Sequence, residues 1–336
     1  VKQFIFIFFA FSFIQPAASR TLKVMQYNTE NFFDTQHDQG TLDYTFLPLS
    51  LKKILPEQTS TCLAMTSDFY RNECLKLDWT EEKLQKKIQN VSKVVKSYDE
   101  KGEGPDILVL QEIENVQVLT KLMQMGLTGT GLKYGALLEG DDSRGIDVAV
   151  ISKFPITKTK RHPLIINDEV IDTRGILEVH IKVELKTVVV FANHWPSQNH
   201  HVSQRIASAE LLEKQANLTR GDLVIAAGDF NTISRDIPSP FDFMLSFSDT
   251  EDHARRTNPD VGPGTNYYRG QWSSLDKIFI HKSSTVSANY ESFKILAHPF
   301  MMNVSSSTGR PYPKRFNHSK GEGFSDHLPV CIELTI

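Results

Sequence analysis

The sequence is poor in cysteine, almost free of long apolar runs and without a dominant sign of charge. Its three cysteines form no CxxC pair and no HExxH motif occurs, so thiolate and zincin-type metal chemistry is not expected. Lys and Arg number 37 against 40 Asp and Glu, a net charge of −3. That balance argues against tight non-specific binding to a polyanion but leaves room for a local basic face. No repeat or low-complexity linker divides the chain, so a single domain over residues 20–336 is expected. Hydrophobic residues make up 40%, the composition of a packed globular protein rather than a disordered one.

The one long apolar run is N-terminal. Lys2 precedes a stretch from Phe4 to Ile14, followed by Pro16 and the small residues Ala17, Ala18 and Ser19. This pattern reads as a secretory signal peptide over residues 1–19, with an apolar core too short for a membrane span; an uncleaved anchor is the alternative. A secreted or periplasmic protein without stable membrane insertion is therefore expected. Export permits a disulfide, and Cys62 and Cys74 are near enough in sequence to close a small loop, which would stabilise the fold by about 3 kcal/mol. Cys331, in the run PVCIELTI, reads as a small buried thiol.

Runs of strand length and composition fall at residues 22–27, 106–110, 147–151, 176–183, 187–192, 223–227, 277–280 and 328–336. Between them, residues 80–95 read as a helix: Thr80 can cap it, Glu81 and Glu82 suit its first turn, and Leu84, Ile88, Val91 and Val95 share a face. Residues 116–125 and 203–217 read similarly. The mixture predicts an α/β fold with two packed sheets and outer helices. Residues 34–78, polar and weakly periodic, read as an inserted loop.

Polar residues stand just past several of the apolar runs: Asn28, Glu112, His194, and Asp229 with Asn231. A single such residue is usually a turn or cap, but five together mark rigid strand ends opening on a site. Asn28, Glu112 and Asp326 offer hard oxygen ligands, which favour Mg²⁺, with Mn²⁺ or Ca²⁺ as alternatives, over zinc. A sparsely liganded Mg²⁺ suits phosphoryl-centred hydrolysis. In GDFN, Asp229 can deprotonate a water while Asn231, two residues on, points the same way. In SDHLP, Asp326 and His327 are adjacent, so one can reach the metal while the other meets the phosphate. His327 needs an orienting partner, and Asp276 in SSLDKIFI is the candidate.

The ordered set YNTENFF, PDILVLQEIEN, RGIDVAVIS, DTRGILEVHI, ANHWPSQ, AAGDFNT, SSLDKIFI and FSDHLPV resembles the endonuclease/exonuclease/phosphatase superfamily across nearly the whole chain. The resemblance implies a four-layer α/β/β/α sandwich of the deoxyribonuclease I type, with divalent-metal cleavage of phosphoesters at one edge of the paired sheets. It assigns Asn28, Glu112 and Asp326 to the metal, Asp229 to the base, Asn231 beside it, and His327, held by Asp276, and His194 to the scissile phosphate. It further implies Asp147 as partner to His194, Arg174 at the substrate phosphate, and Arg144 near it unless RGID is only a turn. The tryptophan of ANHWPSQ and the 34–78 stretch depart from the common pattern.

The expected substrate is DNA, with RNA second, cleaved internally. Arg310, Tyr312, Lys314, Arg315 and Phe316, with Arg255, Arg256 and Arg269, can track a phosphate backbone and stack on bases. Sphingomyelinase-like or phosphomonoester cleavage is the alternative, with Pro299 to Met302 as a partial apolar loop. A catalytically dead binding module on the same scaffold is disfavoured because the acidic and histidine positions are all present. No protein partner is implied and a monomer is expected.

Overall fold

The computed structural model describes residues 19–258 and 260–336; the expected signal peptide lies outside them, Ser19 excepted. The first sheet opens with β1 (Thr21–Phe32). Three short helices follow, α1 (Leu49–Lys52), α2 (Gln58–Ala64) and α3 (Asp68–Lys76), and then α4 (Glu81–Lys96) leads to β2 (Ile107–Ile113). Helix α5 (Val116–Lys121) precedes β3 (Tyr134–Leu137) and β4 (Asp147–Ser152). The second sheet begins at β5 (Ile156–His162), with the small hairpin β6 (Ile165–Ile166) and β7 (Glu169–Val170) before β8 (Ile176–Val183) and β9 (Lys186–His194). Helix α6 (Val202–Leu218) crosses to β10 (Leu223–Asp229), followed by β11 (Phe247–Asp249) and α7 (Thr250–Thr257). The remainder is the hairpin β12 (Asn266–Tyr268) and β13 (Gln271–Ser273), β14 (Asp276–His281), β15 (Ser287–Ile295), the hairpin β16 (Met302–Val304) and β17 (Pro311–Pro313), and β18 (Val330–Thr335).

Two six-stranded mixed sheets result, ordered β15-β18-β1-β2-β4-β3 and β11-β14-β10-β9-β8-β5. Strand alternation explains their packing. Val188, Val190 and Ala192 of β9 join the core shared by the two sheets, whereas Val189 and Phe191 pack with Ala209, Leu212 and Ala216 of α6 on the outer face. On the other side α4 buries Leu84, Ile88, Val91 and Val95, and Thr80 caps it by accepting from the Lys83 N–H, as the sequence pattern predicts. The four-layer sandwich is thus present. Among the described residues no helix is long and apolar enough to cross a membrane.

The parallel pairs place the site. β1 runs parallel to β2 and β9 to β10, and a parallel pair requires a crossover, supplied here by α4 and α6. Both strands of each pair therefore end at one edge of the sandwich. β18 and β14, antiparallel to β1 and β10, begin there. Asn28, Glu112, His194, Asp229, Asp276 and the approach to His327 are gathered by topology alone.

Residues 34–78 differ from the loop expected. They carry α1, α2 and α3, each too short to show periodicity, and close around a small cluster of Tyr44, Leu47, Cys62 and Cys74. Cys62 and Cys74 are disulfide-bonded, and the buried Lys52 ammonium donates to the carbonyls of Cys74 and Leu77, both at 2.8 Å. Cys331 is a buried free thiol.

Gly228, which precedes Asp229, pairs with Asn193 across β9–β10 at φ +151°. A Cβ there would lie 2.0 Å from the Asn193 carbonyl oxygen, so only glycine lets the two strands close next to Asp229 and His194. Gly228→Ala is expected to destabilise the fold by roughly 2 kcal/mol or more. A thermal unfolding midpoint equal to that of the parent protein would contradict this reading.

Candidate active site

The strand ends at this edge are irregular, and the irregularities aim the side chains. The β1–β2 register shifts between Asn28 and Phe32, and the β2–β4 register shifts between Gln111 and Ile113. Such bulges turn a side chain out of the strict in-out alternation. Glu30, Asn31, Glu112 and Asn231 all take positive φ, at 56°, 50°, 62° and 47°. Asparagine tolerates this region; glutamate rarely does, so Glu30 and Glu112 hold strained backbone that surrounding contacts must enforce. Those contacts exist: Asn31 N–H donates to Glu112 Oε2 at 2.7 Å, and Glu30 N–H donates to Asn28 Oδ1 at 3.0 Å.

Asp229 is the centre of the cluster and is 2% exposed. Its Oδ1 accepts from the Asn231 N–H at 2.9 Å, and its Oδ2 accepts from Asn28 Nδ2 at 3.1 Å. The same Oδ2 lies 3.7 Å from His194 Nε2 and 3.9 Å from His327 Nε2. Both imidazoles thus converge on one carboxylate oxygen. Burial pushes the Asp229 carboxyl up to about 7, against the opposing charge of His327.

The two histidines are pushed in opposite directions. His194 is buried beside the charges of Arg174, Arg144 and His327, and these together hold it well below its ordinary value. Burial also opposes a charge on His327, but Asp276, whose Oδ2 meets His327 Nδ1 at 2.7 Å, outweighs it and raises His327 well above the ordinary range. One imidazole is therefore neutral and the other cationic at neutral pH, the division of labour that acid-base chemistry requires.

Asp229, Asp276 and His327 have ligand atoms within 4.8 Å of one another, but Asp276 is not free to hold an ion. Its second oxygen accepts from Gln26 Nε2 at 2.8 Å, so both oxygens are committed to fixing His327. The carboxylates open to an ion are Glu112 and Asp326, whose side chains are 19% and 32% exposed, beside the amide of Asn28, which donates to Glu112 Oε1 at 3.3 Å. The two carboxylates offer hard oxygens that fit a divalent cation, whereas Asn28 turns its amide nitrogen to Glu112 and Asp229 and accepts from the Glu30 N–H with its oxygen, so it is placed to orient these carboxylates rather than to hold the ion.

Other expected residues are placed less simply. Asn231 sits beside Asp229, but one of its amide hydrogens is given to the Trp195 carbonyl at 3.0 Å. Asp147 does not partner His194. Its carboxyl accepts from the Gly140 N–H and shares a hydrogen bond with Glu139, and burial pushes it up to about 8, while His194 Nδ1 is buried without a hydrogen-bond partner among the described residues. Gly140 packs between Asp147 and the Arg174 backbone, which turns Asp147 toward its own loop. Arg174 is buried 3.4 Å from Asp142, and Arg144, half exposed, lies 3.5 Å from the same residue. The anticipated basic and aromatic track is partly internal: Phe316 is buried against Trp79, and Arg255 donates to Glu251 and the Gly262 carbonyl. Met301 is buried as well, which removes it from any apolar loop around Pro299.

Sequence reasoning missed Gln26, Gln111 and Glu30. Gln26 donates to both Asp276 and Gln111, the latter at 2.6 Å, from inside a strand. The available signal was a polar side chain in an apolar run, two residues from Asn28 and so on the same face. His327→Ala and Asp276→Ala are expected to have strongly non-additive effects on turnover, since the two side chains act as one unit. Turnover losses that simply multiply in the double variant would separate them.

Residues 66–336 match the endonuclease/exonuclease/phosphatase family. No curated protein matches the sequence. Among solved structures the chain resembles truncated TDP2 of Caenorhabditis elegans, at TM-score 0.54 and 15% identity, covering 94% of this chain and 98% of that one. It also resembles sphingomyelinase C of Streptomyces griseocarneus, at 0.53 and 15%, covering 94% and 99%, and a mannosyl-6-phosphatase of Bacteroides thetaiotaomicron, at 0.52 and 16%, covering 94% and 100%. At these identities the likeness concerns the fold. With a family match over most of its length, the chain belongs to the endonuclease/exonuclease/phosphatase family of metal-dependent phosphoric ester hydrolases.

Proposed function

We propose that the protein is an exported Mg²⁺-dependent phosphodiesterase that cleaves nucleic acid within the strand. In this reading Asp229 takes the proton of the attacking water, and a carboxyl pushed up to about 7 is matched to that task near neutral pH. Asn28 and the Asn231 N–H hold the two Asp229 oxygens in place, and the second amide hydrogen of Asn231 is available to the phosphoryl oxygen. Cationic His327 donates to the same phosphoryl group from Nε2, while neutral His194 lines the opposite side of Asp229. Glu112 and Asp326 would hold the ion, with Asn28 orienting Glu112, and Mg²⁺ when bound supplies positive charge against the negative charge that builds on the phosphate. Arg174 and Arg144 add positive charge on the His194 side.

The observation that carries the nucleic-acid substrate is the hairpin bridged to His327 and the second hairpin that stacks on it through Tyr312. Asn266 of β12 bridges to His327 and donates to the Asp326 carbonyl at 3.3 Å. From this anchored strand Tyr268 is 67% exposed with the Arg269 guanidinium 5.2 Å over its ring, and Tyr267 stacks with Tyr312 of β17 at 5.9 Å. Aromatic faces interleaved with cations beside a phosphoesterase site suit bases and their phosphates. The Cys62–Cys74 disulfide supports work outside a reducing cytosol, in line with the N-terminal pattern.

Plasmid, linear DNA, RNA, sphingomyelin and a sugar phosphate, each incubated with the protein and Mg²⁺, test the reading. Nicking of plasmid or internal cuts in RNA are expected. Hydrolysis confined to sphingomyelin or to the sugar phosphate would replace the substrate while leaving the chemistry. On the substrate that is cleaved, Asp229→Asn is expected to lower kcat by at least about a hundredfold with the fold intact; near-normal turnover would remove Asp229 from the mechanism.

A further inference from the structure

We propose that Arg315 binds the phosphate next to the scissile one, a role that rests on the nucleic-acid reading above. Arg315 follows β17 and its side chain is 59% exposed, yet it is anchored from behind. Its Nε donates to Oε1 of Glu30, a carboxylate whose side chain is 2% exposed. The other Glu30 oxygen accepts from the Phe316 N–H at 3.1 Å and the Asp326 N–H at 3.0 Å. The Glu30 carbonyl in turn accepts from the fully buried Lys87 ammonium, which lies 4.3 Å over the Phe316 ring. A strained, buried glutamate thus fixes Arg315 and Asp326 in one frame.

Neutralising Glu30 requires only the charge of Arg315, and a lysine would serve. A planar guanidinium does more: with Nε held, its two Nη groups are turned outward in a fixed fork. Among the described residues neither Nη makes a hydrogen bond, and Nη2 lies 3.9 Å from Asp326 Oδ2. Asp326 Oδ1 lies 3.9 Å from His327 Nε2, so the carboxylate of Asp326 stands between the reacting centre and Arg315. The fork is one carboxylate farther out than the group that His327 meets. That position suits the following phosphate of a strand.

A neutral methylphosphonate linkage, moved one position at a time along a short oligonucleotide with a single cleavage site, reads this role. In the parent protein one linkage adjacent to the cut is expected to cost about tenfold in kcat/KM, the scale of one charge-assisted hydrogen bond. In Arg315→Gln the cost at that linkage is expected to fall below about twofold, with other positions unchanged. Because that variant leaves Glu30 buried without its partner, Arg315→Lys is the second variant; it keeps the charge, loses the fork and is expected to show a reduced cost at the same linkage. A cost that is equal in all three proteins, or absent from the parent, overturns the proposal. Failure to cleave any oligonucleotide overturns the nucleic-acid reading, and this role with it.

Discussion

One buried carboxylate joins the two halves of this molecule at its reactive edge. Asp276 begins β14 of the second sheet, and both of its side-chain partners come from the first: Gln26 from β1, and His327 from the segment entering β18. A fully buried carboxylate tolerates no misplacement, because an unmet oxygen would cost the full desolvation of a charged group. The relative position of the two sheets is thereby specified where it matters, at the imidazole that faces Asp229. Catalytic geometry and sheet packing are the same constraint viewed from two sides.

From that constraint the electrostatic division of the site follows. Asp276 holds His327 charged; His327, with Arg174 and Arg144, helps to hold His194 neutral; and burial raises Asp229 between them. The carboxylates left partly open are Glu112, with Oε1 4.0 Å from His194 Nε2, and Asp326, with Oδ1 3.9 Å from His327 Nε2, and their hard oxygens suit a divalent cation beside the histidine pair. Each polar group has a distinct state because each has a distinct environment, although four of the residues lie on adjacent strand ends. A fold with parallel pairs in both sheets delivers them there without any long functional loop.

Much of this was legible in the sequence. Apolar runs followed by Asn28, Glu112, His194 and Asp229 marked strand ends, and the pairing of His327 with Asp276 followed from the need of an imidazole for a fixed tautomer. The strands themselves run farther than the apolar residues suggest, to Asp229 in β10 and His194 in β9, because backbone pairing continues through polar positions. The failures have a common cause. Asp147 turns toward Glu139 and Gly140 through the path of a loop, Phe316 is drawn into the core by Trp79, and Glu30 is buried by a segment nearly three hundred residues away in sequence. None of these contacts leaves a periodic trace. The helices at residues 34–78 escaped because they are short and held by a disulfide and a buried lysine rather than by an amphipathic face.

Phosphoester hydrolysis at this edge is assigned to the buried Asp229 acting with divalent ions held by oxygens. The most direct test of this assignment is hydrolysis measured on the preferred phosphoester after exhaustive treatment with a chelator, then after titration with Mg²⁺, Mn²⁺ or Zn²⁺. The stripped protein is expected to be inactive, and Mg²⁺ or Mn²⁺ to restore turnover. Hydrolysis that survives chelation, or that returns with Zn²⁺ alone, would contradict the assignment.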